Sequence, residues 1–200
     1  MNAPHSTELV TWNILTSIDE PLPVRILEAS IDRCDVVYRQ IAVEVPRATR
    51  NAVVVACRND EILLVLVSRP VVGKVMWEFP RGFGEPTDGN LDDANTAIRT
   101  ARRELREECG LSGGRALVLG SVHPDSGFLR QSVNVVEVRG PWFSDVPGII
   151  GEVESHRWIT RAALRREILQ EKITDSFTLA AFMMAEVQSD IESNNASAGE

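Results

Sequence analysis

The chain has 200 residues, 44% hydrophobic and 25% charged, which suits a soluble globular protein of one domain, or of one domain with a small appendage. Its net charge of −8 argues against nucleic acid as a direct partner, because phosphate binding needs a basic surface. Cys34, Cys57 and Cys109 form neither a CxxC pair nor an even framework; free thiols in a reducing cytoplasm are expected rather than zinc or disulfides. No apolar run has the length of a membrane span, and the N-terminus lacks a basic-then-apolar leader, so no membrane partner is expected.

In chain order, residues 1–8 are polar and expected to be loose. Alternation predicts strands over 11–16 and 36–45. N-A-V-V-V-A-C at 51–57 and E-I-L-L-V-L-V at 61–67 read as two strands joined by the turn R-N-D. Both runs are apolar throughout, which places them centrally in a sheet. A helix capped by Asp92 or Asp93 runs to Glu108, and Gly110 stops it. Strands follow at 115–122, 132–138 and 153–159, then helices at 161–171 and 175–187. The chain divides into a β-rich N-terminal segment (1–48), a main domain (49–188) and a disordered tail (189–200). Mixed strands with a few helices and no internal repeat predict an α/β (α+β) sandwich.

The helix ending near Glu108 carries three stripes at roughly 100° per residue. Ile98, Ala101, Leu105 and Cys109 form one that can pack on a sheet. Arg99, Arg102, Arg103 and Arg106 form the second, and Glu104, Glu107 and Glu108 the third. Arg103 reaches Glu107 at i, i+4. Taken alone, such a face reads first as a solvated, salt-bridged surface. The alternative is a hard divalent cation, since Mg²⁺ is held by one or two carboxylates together with substrate phosphates.

Gly89 to Leu111 resembles the Nudix box G-x5-E-x7-R-E-U-x-E-E-x-G-U, where U is aliphatic. Arg103 to Leu111 matches every fixed position, whereas Asn95 stands where the box has Glu. A second registration takes Pro80-Arg81-Gly82-Phe83-Gly84-Glu85 as the family's loop, which puts an acid, Asp88, at the box position and makes residues 89–95 an insertion. Residues 68–82 and 175–182 are similar to ADP-ribose pyrophosphatases and related nucleoside diphosphate sugar hydrolases.

This resemblance implies a Nudix-type α/β/α sandwich with a mixed sheet, preceded by the small β-rich segment. It implies Mg²⁺ (Mn²⁺ possible) held by Glu104, Glu108 and the carbonyl of Arg81. Glu107 is either a ligand to a further ion or a partner of the arginines, and Arg103 orients a glutamate. Glu108 is also counted among the catalytic residues, with Glu152, then Glu154, as the base from the acidic loop at 149–158. Arg69 and Gly82 would contact the substrate. The implied reaction splits ADP-ribose into AMP and ribose 5-phosphate. The implied partners are a small nucleoside diphosphate and a second copy of the chain in a homodimer. Rival readings are a different nucleoside diphosphate compound or dinucleotide as substrate, and a sensor that binds ADP-ribose without cleaving it. Against the sensor, nothing after residue 160 reads as a basic recognition helix. His5, His123 and His156 lack ligand spacing and read as structural or exposed. Trp12 could stack on a base or serve a core or interface.

Overall fold

The computed structural model describes residues 10–19, 23–33, 36–46, 51–85, 88, 94–144 and 153–197. His5, Cys34, Gly89, Asp92, Asp93 and Glu152 therefore lie outside the described residues. The chain splits into two compact units, Met1–Arg47 with Asp125–Gln131, and Ala48–Pro124 with Ser132–Glu200.

The first unit is an antiparallel sheet of β1 (Asn13–Ile18), β2 (Val24–Arg33) and β3 (Val36–Glu44), in that order. Leu27, Ala29 and Ala42 are its buried positions. The segment from Asp125 joins it through backbone bonds, Val43 N–H to Phe128 O at 2.8 Å and Arg130 N–H to Val43 O at 2.8 Å. The Arg130 guanidinium sits 5.2 Å from the Trp12 ring, so here Trp12 partners a cation of its own unit. Strand β2 has no counterpart in the sequence reading. Its adjacent Ile26-Leu27 pair breaks the alternation, and pairing with β3 along its whole length and with β1 from Val24 to Glu28 makes it a strand.

The second unit is built on a seven-stranded sheet. Its strands are β4 (Ala52–Arg58), β5 (Glu61–Arg69), β6 (Lys74–Glu78), β7 (Arg81–Gly82), β8 (Leu111–Val122), β9 (Val133–Ser144) and β10 (Val153–Thr160). The main path is β10-β5-β4-β9-β8, with β6 on β5 and β7 on β4. β4 and β9 are parallel and the other pairs antiparallel, so the sheet is mixed. The helices are α1 (Ala94–Cys109), α2 (Arg161–Leu169) and α3 (Ser176–Ser197). Successive strand side chains point to opposite faces. Val53, Val55 and Cys57 pack with Phe79, Leu164 of α2, and Ala181, Phe182 and Ala185 of α3. Ala52, Val54 and Ala56 pack with Ala97, Ala101, Leu105 and Cys109 of α1. The sheet is thus covered on both faces, which is why β4 is apolar from Ala52 to Cys57. Cys57 and Cys109 are buried free thiols.

Several elements differ from the sequence reading, among them β8, which begins at Leu111, and β9, which runs to Ser144. β6 was not expected; it pairs with β5 from Val65↔Glu78 to Arg69↔Lys74 and brings Glu78 into the core. α2 ends at Leu169, and Glu171 takes a left-handed φ of 57°. α3 continues past 188, where a disordered tail was expected to begin, to Ser197. Its added turns are tied by Gln188 Nε2 to Glu192 Oε1 at 2.9 Å and Arg139 Nη1 to Glu192 Oε2 at 2.5 Å. No helix among the described residues is long and apolar enough to cross a membrane.

Candidate active site

The turn after β6 is pinned to the sheet at both ends. Val54 N–H donates to Pro80 O at 2.9 Å, and β7 pairs with β4 as Val53↔Arg81 and Ala52↔Gly82. On the same face, the apolar stripe of α1 docks on Ala52, Val54 and Ala56. Docking that stripe turns Glu104 and Glu108 towards the turn. The approach is so close that a Cβ on Gly82 would overlap the Glu104 carboxylate, so only glycine leaves Glu104 where it is.

The backbone N–H of Arg81 lies near the Glu108 carboxyl. Glu108 Oε2 is buried with no hydrogen-bond partner. Burial pushes its carboxyl up to about 8, and the neighbouring Glu104 charge pushes the same way; Arg69 and Arg81 only partly offset them. Burial also pushes Glu104 up to about 7, opposed by Arg103 and reinforced by Glu107. Two adjacent carboxylates, poorly solvated and incompletely neutralised, form an environment in want of positive charge.

Arg103 organises the other acids. It binds Glu107 Oε2 at 2.7 Å, Glu104 Oε1 at 2.8 Å, Asp88 Oδ2 at 3.3 Å and the Phe83 carbonyl at 2.6 Å. Asp88 also accepts the Glu85 N–H at 2.8 Å and the Thr100 hydroxyl at 3.0 Å. Burial works against the Asp88 charge, but these donors hold its carboxyl below the usual range. Asp88, the acid of the second registration, thus ties loop to helix through Arg103. Glu107 is half-exposed, and its place is in the ion pair with Arg103.

Behind the turn lies a second polar cluster. Glu78, 1% exposed, receives Arg69 at 2.7 Å and Arg81 at 2.9 Å. Arg81 also approaches Asp175 Oδ1 at 3.5 Å and lies over the Phe177 ring at 4.7 Å. Glu78 and Asp175 were missed in the sequence. Glu78 sits inside an apolar strand pattern, and a buried acid there, between two arginines, was the available signal. Glu154 is exposed at the bulge where β10 begins to pair with β5.

Glu104, Glu108, Arg81 and Gly82 therefore come together, with Arg69 reaching the turn through Glu78. Among the described residues, no three acids, cysteines or histidines form a metal-ligating group, and Arg103 engages Glu107 and Asp88. The donors still fit a hard divalent cation: two carboxylates, one with a buried unpartnered oxygen, beside a tight backbone turn.

A family model described as NUDIX domain matches residues 48–179. The ADP-ribose pyrophosphatase of Mycobacterium tuberculosis (strain ATCC 25618 / H37Rv) is 30% identical over 141 residues, 66% of this chain and 62% of that protein. The match therefore spans less than two thirds of that relative's length. A solved structure described as "Crystal structure of ADP compounds hydrolase" superimposes with a TM-score of 0.67 at 13% identity, covering 94% of this chain and 98% of the other. At that identity the likeness concerns the fold.

Proposed function

Because the chain belongs to the Nudix family, we propose that it hydrolyses the pyrophosphate bond of ADP-ribose or a related nucleoside diphosphate sugar in a Mg²⁺-dependent reaction. From ADP-ribose the products are AMP and ribose 5-phosphate. One observation carries the reading: the buried, unpartnered Oε2 of the partly buried Glu108 beside the buried Glu104. A carboxylate pair left only partly compensated is costly in a salt-bridged scaffold and useful in a metallohydrolase. The name of the Mycobacterium relative supports the substrate class.

Glu104, Glu108 and the Arg81 carbonyl would hold Mg²⁺ or Mn²⁺, which would supply neutralisation of phosphate charge and acidification of a water. The protein's own residues do the rest. Gly82 keeps the turn low enough for the diphosphate to approach, and Arg69 supplies positive charge at its edge. Glu152 or Glu154 accepts the proton of the attacking water. Arg103 keeps Glu104 in place. The chain acts as a homodimer through its N-terminal segment. Ile14, Leu15, Ile18, Val36 and Val37 are exposed there, more apolar surface than a lone three-stranded sheet is expected to leave in water.

Release of AMP from ADP-ribose with Mg²⁺ tests the reading, wild type against Glu108→Gln. The expected result is cleavage in the wild type and a loss of at least about a hundredfold in the variant. The competing reading is the ADP-ribose sensor, favoured by Asn95 in the box. Binding of ADP-ribose without cleavage of any nucleoside diphosphate would establish it instead.

A further inference from the structure

We propose that the cap of α3, Asp175 with Thr178, is a positioning element for the hydrolytic site; this rests on the reading above. An ordinary helix cap is complete when a side-chain oxygen accepts one N–H of the first turn. Here Asp175 Oδ2 does so, taking the Thr178 N–H at 2.9 Å. The cap then goes further. Thr178, fully buried, gives its hydroxyl proton to Asp175 Oδ2 at 2.8 Å and accepts the Phe79 N–H at 2.9 Å, across 99 residues of sequence. Because the hydroxyl has one proton and Asp175 takes it, the bond to Phe79 can run only from the backbone to Thr178.

The other Asp175 oxygen faces Arg81 at 3.5 Å, and Phe177, between the two cap residues, lies under the Arg81 guanidinium at 4.7 Å. One turn of helix thus holds the Phe79–Arg81 segment at its first backbone N–H and at its last side chain. The backbone N–H of Arg81 lies near the Glu108 carboxyl, and Gly82, the next residue, lies directly against the Glu104 carboxylate. The path from the cap to the carboxylate is therefore short: Thr178 to Phe79, Asp175 to Arg81, and Arg81 to Glu108. Asp175 and Thr178 touch neither Glu104 nor Glu108 in this path; they act through the turn.

Amide hydrogen exchange on Thr178→Val, Thr178→Ser and Asp175→Asn, alongside kcat and KM for ADP-ribose, tests the assignment. Valine keeps the buried volume and removes both hydroxyl bonds. In Thr178→Val the Phe79 and Arg81 amides should exchange about tenfold faster or more, and kcat should fall by about tenfold with KM within about threefold. Thr178→Ser should recover most of both losses. Asp175→Asn keeps one cap acceptor oxygen and removes the charge facing Arg81, so exchange should quicken at Arg81 more than at Phe79. Unchanged exchange at Arg81 in Thr178→Val, or a serine variant as impaired as valine, overturns the proposal. Should the valine variant not fold, unchanged exchange at Arg81 in Asp175→Asn overturns it. A wild type that cleaves no nucleoside diphosphate defeats the functional reading alone, and the exchange measurements still decide whether the cap holds the turn.

Discussion

At Gly82 the absence of a side chain is what places Glu104. The atoms a Cβ would meet are the end of a flexible side chain, not backbone, so the fold can yield by letting Glu104 swing away. Stability and activity should therefore separate in Gly82→Ala. The expected cost is below about 1 kcal/mol, a Tm change of no more than about 4 °C, with cleavage reduced by about a hundredfold. A calorimetric scan beside the assay checks this, and parallel loss of both would mean that the turn itself collapses.

The raised carboxyls of Glu104 and Glu108 make a second residue-scale prediction. Their folded values, about 7 and about 8, lie above the ordinary 4.5. Between roughly pH 4.5 and 8 the metal-free folded protein thus binds more protons than the unfolded chain, and its stability falls as pH rises. A ligand cation needs the ionised carboxylates, so stabilisation by Mg²⁺ should grow over the same window. Thermal scans from pH 5 to 8.5, with EDTA and with Mg²⁺, measure both slopes. A metal-free stability that rises through this interval would contradict the buried pair as the dominant titrating groups.

At the scale of elements, Arg103 joins the helix to the loop before it. Asp88 is buried and, apart from Arg103, has the Glu85 N–H and Thr100 hydroxyl among its donors, neither of which carries charge. Removing Arg103 therefore breaks a buried ion pair and takes charge compensation from a buried carboxylate. Arg103→Leu should destabilise by about 3 kcal/mol, and urea unfolding would register it as a lower midpoint at unchanged slope. The same element shows how far a pattern reaches. The i, i+4 stripes located the apolar and acidic faces of α1, and Gly110, at φ 64°, ends the helix where its sequence says. Whether the acidic face was solvated surface or part of a site did not follow from those stripes. That depended on the turn at Arg81–Gly82, contributed by a strand pair more than twenty residues upstream.

For the whole molecule, the proposed homodimer is open to sedimentation equilibrium. A mass of twice 22.1 kDa is expected, reverting to 22.1 kDa when Ile14, Leu15 and Val37 are replaced together by Ser, Gln and Thr. A monomeric wild type would remove the dimer from the functional reading. On this scale the division between sequence and structure follows the range of the forces. Signals carried by neighbours in the chain were legible: the two apolar central strands, the amphipathic α1, its glycine stop and the nine-residue match from Arg103 to Leu111. Each reflects local periodicity or backbone freedom, which the sequence by itself determines. The tertiary structure alone decided which acids were stranded and which were paired. Glu107 went to Arg103, Glu78 to two arginines, and Asp175 was brought to Arg81 from 94 residues further along the chain, while Glu108 kept a buried oxygen without a partner. A carboxylate's solvation and charge depend on what the fold packs against it, and those groups come from distant segments whose meeting no local pattern encodes.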